Sequence, residues 1–481
     1  MYFFVGANPD ALTKAYHSII GTPVVTPQWA LGWHQCKWGY ATTDALESIV
    51  AQFISNKLPL ETQWSDIDYM HDYKDFTVDP VNFKGLGAFV KKIQDTYNMK
   101  YIPIVDAGVA QRLPSIDNYD AYNAGVAADV FVKAGSDNTT IFTGQVWAVD
   151  AAFPDWFAKG AGAYWGQMMS AFHDMVGFNG VWLDMNEASN MLCTGTCYDD
   201  QKAAMPVQNE LPYIPSGRDL QTQSISLDAV HADGTIELDA HSLYGTMEVH
   251  NTHNWFKDTQ KERTMIISRS SFAGMGKYGS RWLGDNFSSA AYMAYSVTGV
   301  MGNNVAGITL AGSDICGFIG DTTAELCARW YTLGAYYPFS RNHNAWNNAP
   351  QEPWEFKNVI AQGSTTMLDV IQSAMYKKLH MIRYMYTQMS LIQQDGGSYF
   401  RPLFYDFPNE AGGYENQELN VMLGPSLKLS VQSGTTAATT DFWFPAGRWC
   451  EVYCRKGADA LCCFTAKTGG ESKSYGTQFA W

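Results

Sequence analysis

Eight short apolar runs along the 481-residue chain each end in polar or charged residues, and helical patterns fill most of the gaps between them. The runs are Leu31 to His34, Thr62 to Asp68, Tyr101 to Asp106, Gly180 to Glu187, Met265 to Arg269, Arg281 to Asp285, Ile308 to Asp314 and Pro338 to His343. Between the first two, Ala45, Ile49, Val50, Phe53 and Ile54 recur near helical spacing behind the capping signal Thr42-Thr43-Asp44. Comparable patterns occupy 81–97, 157–176, 289–301 and 323–333. Strand and helix alternating eight times is the sequence form of an α/β fold of the (β/α)8 TIM-barrel type. Because such barrels build their sites at the carboxyl ends of the strands, Asp66, Asp106, Asp184, Arg269, Asp285, Asp314 and His343 are expected to converge on one pocket. Any one of them could instead serve only its own loop.

Two connections exceed what a βα unit needs, 107–156 after strand three and 188–245 after strand four, and long loops on that face shape pockets. After Pro353 a helical region runs to about Gln394, with Met367, Ile371, Met375, Leu379, Ile382 and Tyr386 as a stripe read as core packing. From Tyr399 the pattern changes to short alternating segments, which predicts a small antiparallel β domain.

A formal charge of -15 without any Lys/Arg run excludes a nucleic-acid surface. Aromatic residues make up 14%, which suits stacking on flat sugar faces but is mostly accounted for by a large core. The opening Met1 to Val5 lacks the basic region of a secretory signal. The uncharged stretch 286–313 is interrupted by Asn303-Asn304 and several glycines, so it reads as a buried helix followed by a buried strand and not as a membrane span.

Of nine cysteines, Cys193/Cys197 and Cys316/Cys327 form short pairs, and Cys450, Cys454, Cys462 and Cys463 cluster. The cluster matches no common zinc spacing and has no neighbouring His, so disulfides in an oxidising compartment are preferred to a metal site. The sequon Asn138-Thr139-Thr140 fits that compartment. Gly274 to Gly279 matches GxGxxG but is followed by a strand pattern and not a helix, so no nucleotide cofactor is expected. Glu248, His250 and His253 have an order unlike HExxH and are read as structural. No metal and no other cofactor is expected.

Paired carboxylates are the stronger idea. Cleavage of a glycosidic bond passes through an oxocarbenium-like transition state and needs a carboxylate beside the anomeric carbon and a carboxylic acid beside the leaving oxygen. Asp184 and Asp285 can supply them, at a separation of about 5 to 5.5 Å for a retaining enzyme. Asp285 would stay protonated through the negative charge of Asp184 and the aromatic wall of Trp282.

Trp182-Leu183-Asp184-Met185-Asn186-Glu187 resembles the nucleophile motif of glycoside hydrolase family 31, which contains α-glucosidases. The resemblance runs from about Thr26 to Trp449. It includes Trp38-Gly39-Tyr40, Gln63 to Met70, His241 to Gly245, Ser268 to Gly274, Gly284-Asp285, Ser313 to Phe318 and Arg341 to Asn344. It implies a retaining exo-α-glucosidase acting on maltose-like α-glucosides, with an α-xylosidase or a non-catalytic glycan-binding fragment as alternatives. Asp184 would be the nucleophile and Asp285 the acid/base. Asp66, Arg269 and His343 would bind sugar hydroxyls, and Trp38, Ile104, Trp147, Trp182, Met185, Trp282 and Phe318 would wall the pocket. Asp314 would orient Arg269 or a hydroxyl, or form a purely structural pair. Cys316 and Cys327 would be a disulfide, and the sequon at Asn286, beside the acid/base, would carry no glycan. Ala188 stands where many relatives have Pro. The family also implies an N-terminal β-sandwich, of which Tyr2 to Gly6 is read as the last strand. The expected domains are therefore 1–25 as remnant and linker, 26–397 as catalytic barrel, and 398–481 as an incomplete β domain. A lysosomal, endosomal or secreted location follows from the same resemblance.

Overall fold

A computed structural model describes residues 2–111, 119–135, 137–191, 223–263, 265–432, 439–453 and 462–476. The chain divides into two compact units, Val24–Trp282 and a second made of Met1–Pro23 with Leu283–Trp481.

In the unit Val24–Trp282, six strands lie parallel in chain order: β1 (Trp33–Gln35), β2 (Thr62–Ser65), β3 (Lys100–Asp106), β4 (Val181–Asp184), β5 (Ile266–Ser268) and β6 (Ser280–Trp282). Register pairs Trp64 with Ile102, Asp106 with Asp184, and Trp182 with Ile267, so the carboxylates that end β3 and β4 stand side by side. Trp64, Ile102, Val105, Leu183 and Ile266 are fully buried, as expected of parallel strands covered on both faces.

Four helices of this unit are α1 (Thr43–Ser55), α2 (Leu86–Tyr97), α3 (Ala161–Val176) and α4 (Tyr244–Trp255). The Thr42 hydroxyl caps α1 by accepting from Ala45 N at 3.0 Å, as the sequence predicts. Helix α2 begins later than the expected residue 81. The Asp79 carboxylate takes up Val81 N and Asn82 N in a turn, and Gly85 then adopts a left-handed φ of 85°. Asp155 delays α3 in the same way by accepting from Phe157 N. The insert after β3 contains a three-stranded antiparallel sheet of Val109–Ala110, Val149–Ala152 and Gly144–Val146. Cys193 and Cys197, in the insert after β4, lie outside the described residues.

In the other unit the expected seventh strand is split at Ser313 into β7 (Ala311–Gly312) and β8 (Asp314–Ile315). Strand β8 runs parallel to β9 (Ser340–Asn342), with Asp314 opposite Arg341. The helices are α5 (Ala290–Val305), α6 (Ala324–Gly334) and α7 (Met367–Asp395), together with Pro9–Ile20 near the amino terminus. Residues 2–6, read above as a strand, form none in the structure. A strand needs a neighbouring ladder, and none pairs with them among the described residues.

The predicted antiparallel segments are present. Phe400–Pro402, Asn420–Leu423 and Leu427–Ser430 form one sheet, and Thr439–Phe444 pairs with Glu471–Gly476. Phe442, Phe444 and Ala466 make a small core with Leu419, Trp449, Phe464 and Tyr475. Disulfides join Cys316 to Cys327 and Cys450 to Cys463; Cys454 lies outside the described residues. Among the described residues no helix is long and apolar enough to cross a membrane.

Candidate active site

Strand β4 delivers Asp184 to its carboxyl end, only 8% exposed, and the chain then turns through Met185 at a left-handed φ of 57°. Such a conformation is disfavoured for a residue with a long side chain, and it redirects the backbone immediately after the carboxylate. Arg269, just past β5, reaches back with Nη1 3.2 Å from Asp184 Oδ1. It also holds Glu187: Nε donates at 3.0 and 3.2 Å and Nη2 at 2.8 Å. Arg281 Nε donates to the Arg269 carbonyl at 3.2 Å, and burial pushes the Arg281 guanidinium below its usual range.

Behind this cluster, three buried carboxyls share one neighbourhood. Asp106 donates its backbone N–H to Asp75 Oδ1 at 2.7 Å, and the Asp75 carbonyl accepts from Tyr119 Oη at 2.8 Å. Burial, with the charges of Asp75 and Asp184 added, drives the Asp106 carboxyl well above the ordinary carboxylate range, against the pull of Arg269. Burial likewise raises Asp75, with the charge of Glu248 added, and Glu248, with the charges of Asp106, Glu187 and Asp184 added. Arg269, engaged with Asp184 and Glu187, offsets only part of this rise at Asp106.

Several of the aromatic residues expected to wall a pocket touch one another within this unit. Trp182 meets Trp282 edge to face at 5.3 Å between centroids and Trp64 at 5.9 Å, while Trp38 meets Trp147 at 5.3 Å. Trp64 Nε1 donates to His34 Nδ1 at 3.0 Å, so His34 Nε2 carries the hydrogen given to Ala30 O. Ile104 is buried in register with Trp182, and its carbonyl accepts from Tyr69 Oη at 2.6 Å. Asp66 is buried just past β2, where its carboxylate accepts from Ile67 N at 2.7 Å. Asp68, two residues on, accepts from Gly39 N at 2.8 Å and so ties the Trp38 loop to the end of β2.

In the other unit Asp285 is exposed and left-handed, with φ 58°, while the adjoining Asn286 is buried. Asn286 Nδ2 donates to Asp314 O at 3.0 Å and its Oδ1 accepts from Asp314 N at 3.1 Å, so both ends of its amide are engaged. The Asp314 carboxylate accepts from Arg341 Nη2 at 2.8 Å, a fully buried pair across β8 and β9. Phe318 lies against His343 at 4.9 Å between centroids. Glu187 and Arg341 were visible in the sequence only as motif letters; their roles depend on partners far away in sequence.

Gly274 to Gly279 forms a short 3-10 turn that enters β6, so no helix amino terminus is offered to a pyrophosphate there. His253 donates to the Tyr278 carbonyl at 3.0 Å, and His250 packs on the Tyr278 ring, which accounts for both as structural residues.

A family model described as the glycosyl hydrolases family 31 TIM-barrel domain matches residues 23–388. An alpha-glucosidase of Hordeum vulgare is 35% identical over 459 residues, covering 94% of this chain and 50% of that protein. Lysosomal alpha-glucosidase of Mus musculus is 35% identical over 456 residues, covering 93% and 46%. The crystal structure of a glucosidase II alpha subunit superposes with a TM-score of 0.84 over 99% of this chain and 47% of that one, at 22% identity, which shows a shared fold. The chain thus spans about half the length of the curated relatives it matches. The six ordered parallel strands and their helices, with the match over 23–388, establish the (β/α)8 barrel read from the sequence. The chain belongs to glycoside hydrolase family 31.

Proposed function

We propose that this protein is a retaining exo-α-glucosidase that releases terminal non-reducing glucose from maltose-like substrates, with residues 26–397 as its catalytic barrel and 398–481 as an accessory β domain. Asp184 attacks the anomeric carbon as Asp285 protonates the leaving oxygen, giving a β-glucosyl ester on Asp184. Asp285 then takes a proton from water, which cleaves the ester and restores both groups. Asp66, Arg269 and His343 bind hydroxyls of the departing glucose, and charged hydrogen bonds that strengthen in the transition state raise kcat. Trp38, Ile104, Trp147, Trp182, Met185, Trp282 and Phe318 exclude water around the ring. Asp314 acts on the pocket through its pair with Arg341. The related lysosomal enzyme and the two disulfides support an oxidising, lysosomal or secreted setting.

The observation that carries the reading is Asp184 itself: a nearly buried carboxylate at a barrel strand end, 3.2 Å from an arginine that a second carboxylate holds in place. The test is turnover of an aryl α-glucoside beside the matching α-xyloside. Asp184→Ala is expected to abolish turnover. Asp285→Ala should lose about 10²- to 10⁴-fold on substrates with poor leaving groups and less on activated aryl ones. Full activity in either variant overturns the roles, a preference for the xyloside overturns the sugar, and maltose binding without hydrolysis overturns the enzyme.

A further inference from the structure

Each proposed catalytic carboxylate is followed by an asparagine that commits both ends of its amide to the next strand end of its own unit. Asn286 holds the backbone of Asp314, as described above. Asn186, two residues after Asp184, is fully buried; its Nδ2 donates to Ser268 Oγ at 2.8 Å and its Oδ1 accepts from Ser270 N at 2.9 Å. Ser268 Oγ gives its own hydrogen to Ser270 O at 2.8 Å. The backbone of Arg269 is therefore enclosed by hydrogen bonds on both sides.

A second layer backs this ring. At the start of α4, a side chain in place of Gly245 would meet Asn186 O at 2.5 Å and Ser270 Cβ at 2.7 Å, so helix and ring are in close contact. One turn on, Glu248 is fully buried beside Asn186, and neither carboxyl oxygen has an aligned hydrogen bond among the described residues. The titratable groups facing Glu248 are Asp75, Asp106, Asp184 and Glu187 from other segments and Tyr244 on its own helix. Burial, with the charges of Asp106, Glu187 and Asp184 added, raises the Glu248 carboxyl well above its ordinary range.

We propose that Asn186 is the positioning residue of this site: it locks the backbone of 268–270 so that Arg269 is aimed at Asp184, and the buried Glu248 packs beside Asn186 from behind. The proposal deepens the reading of Asp184 as the nucleophile and rests on it. Losing the ring frees Arg269 to follow Glu187 alone, and a displacement of about 1 Å near reacting atoms costs on the order of 10²-fold.

The test pairs crystallography with kinetics on an aryl α-glucoside. In Asn186→Ala, the Arg269 Nη1 to Asp184 Oδ1 separation, 3.2 Å in the wild type, is expected to open past about 4 Å. The kcat should fall about tenfold to a hundredfold with KM little changed, and the acidic limb of the pH profile should move up as Asp184 loses its cation. Glu248→Gln, which keeps the shape of this buried side chain, should keep wild-type kcat within about threefold. Ser268→Ala removes the acceptor of the Asn186 amide at the expense of one atom and should give a smaller change in the same direction, which decides the matter if Asn186→Ala does not fold. An unmoved Arg269 in both Asn186→Ala and Ser268→Ala, or a Glu248→Gln enzyme as impaired as Asn186→Ala, overturns the proposal. Should the wild type hydrolyse no α-glucoside, the functional reading fails, and the crystallographic position of Arg269 in the variants still decides this inference.

Discussion

Arg269 is the residue on which the described half of the site turns, because it divides one guanidinium between two carboxylates. Glu187 takes three of its hydrogen bonds and Asp184 receives Nη1 at 3.2 Å. A guanidinium wholly free to pair with Asp184 would stabilise the carboxylate as an ion and make it a poorer nucleophile. Glu187 thus tempers the cation as well as aiming it. Glu187→Gln is accordingly expected to lower kcat/KM by about tenfold to a hundredfold, the loss of about 1.5–3 kcal/mol that charged hydrogen bonds carry, with an unchanged circular-dichroism spectrum because Glu187 is only half-buried. Steady-state kinetics on an aryl α-glucoside checks it, and an unaltered kcat/KM would sink the idea. Asp184 and Arg269 were legible in the sequence, since the strand-end rule names positions from periodicity alone. The bond from Arg269 to Glu187 spans 82 residues and joins two loops, and no pattern within either loop announces it. The same holds for Asp314, whose partner Arg341 is its register neighbour across two strands.

Elements were legible where the local pattern and the tertiary environment agree. Helix α1 follows its capping signal, whereas the buried stripe of α7 departs from the one its sequence suggests. Steps of four residues advance about 400° around a helix, so a stripe that keeps adding four drifts off the core. Burial instead moves from Met375 to Lys378, Met381 and Met385, and Leu379 is left 39% exposed. A lysine therefore occupies a core position, giving its hydrogens to the Tyr337 carbonyl and facing Met385 Sδ at 3.6 Å. Burial pulls the Lys378 ammonium down to about 7. The folded value lies below the unfolded one, so stability is lost as pH falls from about 10.5 to about 7 and is level below that. Lys378→Met should raise unfolding stability at pH 7 by about 2 kcal/mol and remove the slope between pH 7 and 10, measured by urea titration. An element of opposite sign stands behind α3, where His231 bridges Asp155 at 2.8 Å and Glu237 at 3.0 Å. Although burial acts to lower it, the two carboxylates carry the His231 imidazolium up to about 9. Its contribution is complete below about pH 6.5 and lost as pH rises through about 9. His231→Gln should cost about 3 kcal/mol at pH 6 and much less at pH 9.5, and equal losses at the two values would refute the bridge.

At the scale of the whole molecule, these titrations combine into a preference for mild acid. Glu61, Asp68, Asp75, Asp106, Glu248 and Asp406 all have carboxyls raised by burial. A carboxyl whose folded value exceeds its unfolded one contributes stability that is complete below the unfolded value near 4 and is lost as pH climbs through the folded value. Each of these groups therefore makes neutral solution less favourable than acid. His231 adds its full share below about 6.5 and Lys378 is indifferent below about 7, while His17, His250 and His253, each lowered by burial, oppose the trend as pH falls below 6.5. The carboxylates lowered by local hydrogen bonds, Asp79, Asp137 and Asp233, oppose it only below their ordinary range near 4. Long-range repulsion acts in the same direction, since a formal charge of -15 at pH 7 falls towards zero near the sequence pI of 5.0. The melting temperature at constant ionic strength is thus expected to peak at about pH 5, above its value at pH 7 and further above that at pH 9. Asp75→Asn, which replaces the buried carboxyl by an amide of the same shape, should flatten the rise between pH 7 and 5 without moving the His231 transition. A maximum at or above pH 8 would refute the trend, because the buried carboxyls behind Asp184 would then not favour acid over neutral solution.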